Sequence, residues 1–152
     1  MTHTPSDNDK RELWNLICGS VLGQGSARTV YEHCLDSGLV LKVESGAGSF
    51  QNVLEWETWE QVRDTEHARW FAPCVAISPC GGVLVQRRTV QPKAYPDLVP
   101  NFFTDLKLTN FGTLLPYKDE EERFVCHDYG FTRLMGLGLT KRMAKPNWWR
   151  AK

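Results

Sequence analysis

The chain has no cysteine pair at C-x-x-C spacing and no histidine pair at H-x-x-x-H or H-E-x-x-H spacing. Its five cysteines, Cys18, Cys34, Cys74, Cys80 and Cys126, are odd in number and scattered. These absences argue against a disulfide framework and a structural zinc site, and suit reduced thiols in a cytoplasm. An excess of charge is also missing, because 18 Lys and Arg balance 18 Asp and Glu. A neutral chain has no global field to draw it toward nucleic acid or an anionic membrane. No apolar run is long enough to span a bilayer. The polar start, MTHTPSDNDKRELW, lacks the apolar core of a signal peptide. No internal repeat is present.

What the chain does have is a hydrophobic content of 41% and six tryptophans in 152 residues, the composition of one folded domain. Ser6 and Asp7 can cap a short helix with Leu13, Trp14, Leu16 and Ile17 on one face, ending near Gly19. Residues 21–32 then read as strand, glycine turn and strand, with Gly23 and Gly25 in the turn. Asp36-Ser37-Gly38 turns the chain into a third strand over 39–44. Glycines at 23 and 25 let backbone approach a ligand and present N–H groups to phosphate oxygens. Lys42, between Leu41 and Val43, points opposite to both if the strand alternates, and a buried lysine needs an anionic partner.

Residues 49–62 read as a helix, capped by Ser49 or Asn52. Glu55, Trp59 and Val62 share one of its faces. Two apolar runs around Gly81-Gly82 form a further hairpin. The strands together predict an α+β fold with a five-stranded antiparallel sheet and one helix packed on it. Three prolines make 89–100 an extended connector. Residues 113–126 read as strand, acidic turn and strand, with Asp119 to Glu122 at the tip.

Two polar motifs carry the chemistry. Asp105-Leu106-Lys107-Leu108-Thr109-Asn110 spaces a base, a phosphate partner and a metal ligand, and Asp128 before Gly130 offers a stronger metal ligand. This is a layout for phosphoryl transfer from a magnesium nucleotide. With Gly23-x-Gly25-x-x-Arg28-x-Val30 and Leu39-Val40-Leu41-Lys42 upstream, the ordered set resembles the protein kinase signature, in particular that of small kinase-like proteins of tailed bacteriophages.

The resemblance spans about residues 20–131. It implies an N-lobe over about 20–88, a hinge over about 87–100, a catalytic hairpin over 101–130 and a tail over 131–152. It implies that Gly23, Gly25 and Val30 cover ATP and that Lys42 holds phosphate oxygens, braced by Glu55, with Glu57 and Glu60 as alternatives. Asn110 and Asp128 would bind Mg²⁺, Asp105 would accept the proton of an attacking hydroxyl, and Lys107 would steady the transferred group. Gln86 would precede the hinge at 87–89, whose exposed backbone would meet the adenine edge.

The departures also have implications. Asn101-Phe102-Phe103-Thr104 stands where kinases have His-Arg ahead of Asp105, and Arg28 stands at the third glycine. The 22 residues after Gly130 leave no A-P-E motif and little room for a peptide-docking lobe. The second lobe is therefore expected to be strongly reduced. A catalytically inactive pseudokinase acting on a protein of a bacterial host is the alternative. The tail carries Arg133, Lys141, Arg142, Lys145, Arg150 and Lys152 beside Trp148 and Trp149, a composition that can bind nucleic acid. The favoured expectation is a helix docked through Leu134, Leu137 and Leu139, with the tryptophans as packing.

Overall fold

The computed structural model describes residues 4–46, 49–117, 120–130 and 142–149. The first helix, α1 (Asp7–Ile17), starts as its sequence requires. Ser6 Oγ accepts from the Asp9 amide and the Asp9 carboxylate accepts from the Ser6 amide, a reciprocal capping box. No α1 residue is buried. Leu13 and Leu16 are more than half exposed, and Trp14 meets Tyr31 edge-on at 6.1 Å. The apolar face of α1 is thus only partly covered.

Strands β1 (Cys18–Gln24), β2 (Arg28–His33), β3 (Leu39–Glu44), β4 (Cys74–Ile77) and β5 (Val83–Arg87) form the expected five-stranded sheet, antiparallel throughout, in the order β1-β2-β3-β5-β4. Its turns follow local chemistry. The Gly25 amide donates to the Arg28 carbonyl at 2.8 Å, and Asp36 Oδ1 accepts from the Gly38 amide at 2.8 Å. The β4–β5 turn places Gly81 at φ +75°, where a Cβ would stand 2.6 Å from Val53 Cγ2.

The second helix, α2 (Gln51–Val62), packs against β3, β4 and β5. Neither Ser49 nor Asn52 caps it through its own side chain. Glu44 at the end of β3 does so instead: Oε1 accepts the Asn52 amide at 2.8 Å and Oε2 accepts the Ser49 hydroxyl at 2.7 Å. A carboxylate there also meets the positive end of the helix dipole. Asn52 cannot serve as the cap because it lies inside the helix and its Oδ1 accepts from Arg28 at 3.1 Å, while its side-chain amide donates to the carbonyls of Lys42 and Gly81 at 3.0 and 2.9 Å.

The connector over 89–100 is extended and contains β6 (Thr89–Val90) and β7 (Val99–Pro100). Strands β8 (Phe111–Leu114) and β9 (Arg123–Cys126) form the predicted hairpin and join β6 in a sheet ordered β6-β8-β9. Asp119, at the acidic tip, lies outside the described residues. Strand β10 (Met143–Ala144) pairs with β7. Residues 142–149 are therefore extended rather than helical, while Arg133, Leu134, Leu137, Leu139, Lys141, Arg150 and Lys152 lie outside the described residues.

The core joins the five-stranded sheet to the β6-β8-β9 sheet and to β7. Phe71 stacks on Phe102 with centroids 5.8 Å apart and meets Tyr129 edge-on at 4.9 Å. Val62 of α2, Leu84 of β5 and Cys126 of β9 are buried in the same cluster. Of the two tryptophans expected as packing, Trp148 packs onto it against Phe111 at 5.1 Å, whereas Trp149 is exposed. Each fully buried aromatic or aliphatic side chain here contributes about 1.5–3 kcal/mol.

Gly81→Ala combines a left-handed backbone with a collision against Val53. It is expected to cost at least about 1–2 kcal/mol. Urea denaturation monitored by tryptophan fluorescence measures this, and an unchanged midpoint would refute the account of the turn.

Candidate functional site

The site grows from one residue of β3. Lys42 lies opposite Val30 on one side and Leu84 on the other. Apolar neighbours on both flanks remove water from its ammonium, so it needs a carboxylate. Helix α2 supplies it: Lys42 Nζ lies 2.6 Å from Glu55 Oε1, and both side chains are buried. Of the three glutamates considered, Glu55 is therefore the partner. Glu57 is exposed, and exposed Glu60 pairs with Arg63 at 3.1 Å. The helical spacing decides the matter, because Val62 on the Glu55 face is fully buried. Gln86 Nε2 also donates to Glu55 Oε1 at 2.9 Å, and Lys42 Nζ donates to the His127 carbonyl.

Arg28 is the charged cleft residue that motif reading passes over. It opens β2 and is 7% exposed. Its Nη1 lies 2.6 Å from Glu55 Oε2 and donates to Asn52 Oδ1 at 3.1 Å. Its Nη2 donates to Asp128 Oδ1 at 2.8 Å. Burial opposes the guanidinium charge, but Glu55 and then Asp128 outweigh it and raise its pKa above the ordinary value. Arg28, Lys42, Glu55 and Asp128 thus form one charge network. The signal was available in the sequence: two cations in paired, water-poor strands need more than one carboxylate.

The loop ahead of β8 brings the second set of predicted residues to the same place. Asp105 is exposed. The Asn110 side-chain amide donates to the Asp105 carbonyl at 3.4 Å. The Asn110 carbonyl accepts the amides of His127 and Asp128 at 2.8 and 3.3 Å. Asn110 therefore ties the Asp105 loop to the segment carrying Asp128. Trp149 clips the loop from the other side, its amide donating to the Leu106 carbonyl and its carbonyl accepting from Leu108 at 3.1 and 3.0 Å. Lys107 Nζ stands 5.8 Å from the Trp149 ring centroid.

His127 orders this junction. Its Nε2 lies 2.7 Å from the Thr109 carbonyl, which can only accept, so Nε2 carries the proton. Its Nδ1 then accepts from the Thr89 hydroxyl at 2.7 Å. Burial, reinforced by the Lys42 charge, lowers its pKa from 6.5 to about 4. Gly112 admits this arrangement, because a Cβ there would stand 2.6 Å from Thr89 Oγ1.

Gly23, Gly25, Val30 and Lys42 line one cleft of about 900 Å³ together with Asp105, Lys107, Asn110 and Asp128. Glu55 stands behind Lys42 rather than in the cleft wall. Neither Gly23 nor Gly25 has a positive φ, and a Cβ at either position would meet nothing closer than 3.8 Å. The fold itself therefore does not require glycine there, whereas close approach of a ligand would.

Two expectations differ from the geometry. At 87–89, two backbone amides expected to be free are already used. The Arg87 amide donates to the Pro73 carbonyl at 2.9 Å and the Arg88 amide to the Gly38 carbonyl at 2.7 Å, because β5 continues almost into β6. Mg²⁺ does not fit the donors of Asn110 and Asp128 as they stand. Asp128 Oδ1 is held at 2.8 Å by the Arg28 guanidinium, which sets a fixed positive charge beside the carboxylate a metal would need. Among the described residues, no three His, Cys, Asp or Glu side chains group as metal ligands. No helix of the described residues is long and apolar enough to cross a membrane.

Comparison with protein-family models, curated proteins and solved structures finds no match.

The His127 ring sets a pH dependence of stability. Its folded pKa of about 4 lies below 6.5, so the unfolded chain binds the extra proton. Its contribution is complete above pH 6.5 and is lost as the pH falls toward 4. Between pH 7.5 and 5 the loss from this group is expected to be about 2 kcal/mol. Urea midpoints across that range, compared with His127→Gln, measure it. An identical slope in the variant would contradict the assignment.

Proposed function

We propose that the chain is a kinase-like protein that binds a nucleotide in the cleft and transfers its terminal phosphoryl group to a hydroxyl acceptor. The observation that carries this reading is the buried Lys42–Glu55 pair, 2.6 Å apart, in the same cleft as Gly23 and Gly25. A helix glutamate bracing a strand lysine is what positions phosphates in protein kinases. The glycine hairpin, the Lys42 strand, the Glu55 helix and the hairpin ending at Gln86 follow in the order of a kinase N-lobe. The Asp105 loop and the Asp128 segment stand for a reduced second lobe.

In this reading the amides around Gly23 and Gly25 hold phosphate oxygens, and Lys42 holds the outer ones. Asp105 takes the proton of the acceptor hydroxyl. The acceptor oxygen bonds to the terminal phosphorus as the bond to the bridging oxygen breaks, releasing the nucleoside diphosphate. Lys107 offsets charge on the moving group. A bacterial cytoplasm, as the bacteriophage resemblance implies, would supply the nucleotide.

The second reading, a pseudokinase that docks on a host protein without turnover, is favoured by one observation. Where active protein kinases use an aspartate to bind a metal, Asp128 is paired with Arg28 at 2.8 Å.

ATP titration by calorimetry tests the site. Gly23→Val places its side chain in open space, so stability should stay within about 0.5 kcal/mol of the wild type. ATP affinity should fall at least about tenfold, or about 1.4 kcal/mol. Wild-type affinity in this variant would remove the glycine turn from the site. If phosphotransfer is present, Asp105→Asn should slow it by about 10²–10⁴-fold while ATP still binds. A variant that retains the full rate would exclude Asp105 as the base.

A further inference from the structure

The disagreement between Asp128 and a metal role has a single cause, the guanidinium of Arg28. We propose that Arg28 holds the cation position at Asp128, so that the cleft excludes a divalent metal there and takes the polyphosphate of a nucleotide without one. This inference rests on the nucleotide reading for its ligand, but its core claim concerns only Arg28, Asp128 and a cation.

Three observations carry it. First, Arg28 Nη2 lies 2.8 Å from Asp128 Oδ1. A magnesium ion on that carboxylate would sit about 2.0–2.1 Å from its oxygen, within a few ångströms of a fixed positive charge. Second, Arg28 cannot simply swing aside. Its other terminal nitrogen is held by Glu55 Oε2 at 2.6 Å and Asn52 Oδ1 at 3.1 Å, and Glu55 is fully buried. Releasing Asp128 by moving Arg28 would strand a buried carboxylate with one cation fewer. Third, the cleft wall is richer in cations than in carboxylates. Arg28, Lys42, Arg87, Arg88 and Lys107 line it against Asp105 and Asp128, with Glu55 behind the wall pairing with Arg28 and Lys42. Arg28 comes from the strand that follows the glycine turn, so a phosphate under that turn would lie near its guanidinium.

The arrangement also explains why an arginine rather than a glycine ends the turn motif. A planar guanidinium can bond Glu55, Asn52 and Asp128 in three directions at once, which an ammonium ion cannot do with fixed geometry.

Two measurements on the full chain test the proposal. In the first, ATP is titrated by calorimetry in EDTA and again in excess Mg²⁺. The expected dissociation constants agree within about threefold, and Asp128→Asn shifts both together. Tenfold or greater strengthening by Mg²⁺ that Asp128→Asn removes would overturn the proposal. The second measurement needs no nucleotide. Mn²⁺ is added at low concentration and the broadening of backbone amide resonances is followed. In the wild type, residues at Asp128 and Asn110 should broaden no more than those at exposed Asp64. In Arg28→Gln they should broaden selectively, and a second change, Asp128→Asn, should abolish this.

Selective broadening at Asp128 in the wild type would overturn the claim, as would its absence in a folded Arg28→Gln protein. If Arg28→Gln does not fold, the wild-type Mn²⁺ result decides alone. If ATP fails to bind under both conditions, the nucleotide reading falls and with it the polyphosphate clause. The Mn²⁺ comparison still decides whether Arg28 holds the cation position.

Discussion

A carboxylate with no access to water organises this protein. Glu55 is fully buried, and an isolated ionised carboxylate in that position would be prohibitively costly. It is tolerated because Lys42 from β3, Arg28 from β2 and Gln86 from β5 converge on it. Three adjacent strands and a helix are thereby held in one register. The same cations reach beyond the first sheet, Arg28 to Asp128 and Lys42 to the His127 carbonyl. The charge network therefore helps the apolar core join the five-stranded sheet to the segment after β9. Such a network adds little net stability compared with an apolar core, but breaking it exposes the full desolvation penalty of whatever remains. It acts as a specifier of geometry rather than as the main source of folding energy.

The folding energy comes from the aromatic layer beneath. Phe71, Phe102, Phe103, Phe111 and Tyr129 are all buried and in ring contact with one another. Two of these, Phe102 and Phe103, stand just ahead of Asp105 and anchor its loop in the core. The Asp128 segment is oriented by Asn110, whose carbonyl collects two amides, and by His127, whose ring bridges Thr89 and Thr109. The residues after β5 thus place Asp105, Lys107 and Asp128 along the same cleft as Gly23 and Lys42.

Much of the arrangement was legible because its cause is local. Period-two alternation and turn residues marked the five strands, and helical spacing marked Glu55 as the glutamate on the buried face of α2. A lysine between Leu41 and Val43 announced its own need for an anion. Arg28 was equally visible, but a motif comparison reads it only as a missing glycine. Its role lies in three partners that are 24, 27 and 100 positions away along the chain (Asn52, Glu55 and Asp128). The cap of α2 had a similar fate: the local candidates were Ser49 and Asn52, yet Glu44 of the preceding strand performs the task.

The sequence by itself determined the five strands of the first sheet, the two helices, their order, the buried face of α2 and the need of Lys42 for an anionic partner. Each of these follows from the periodicity of side chains along a covalent backbone and from the cost of an unpaired buried charge. Only the tertiary structure decided that Asp128 is bound to Arg28, that the Arg87 and Arg88 amides are already used, and that Trp149 clips the Asp105 loop. Those are choices among several chemically adequate partners. Which one wins depends on the three-dimensional distance left once the core has packed, and no local pattern encodes it.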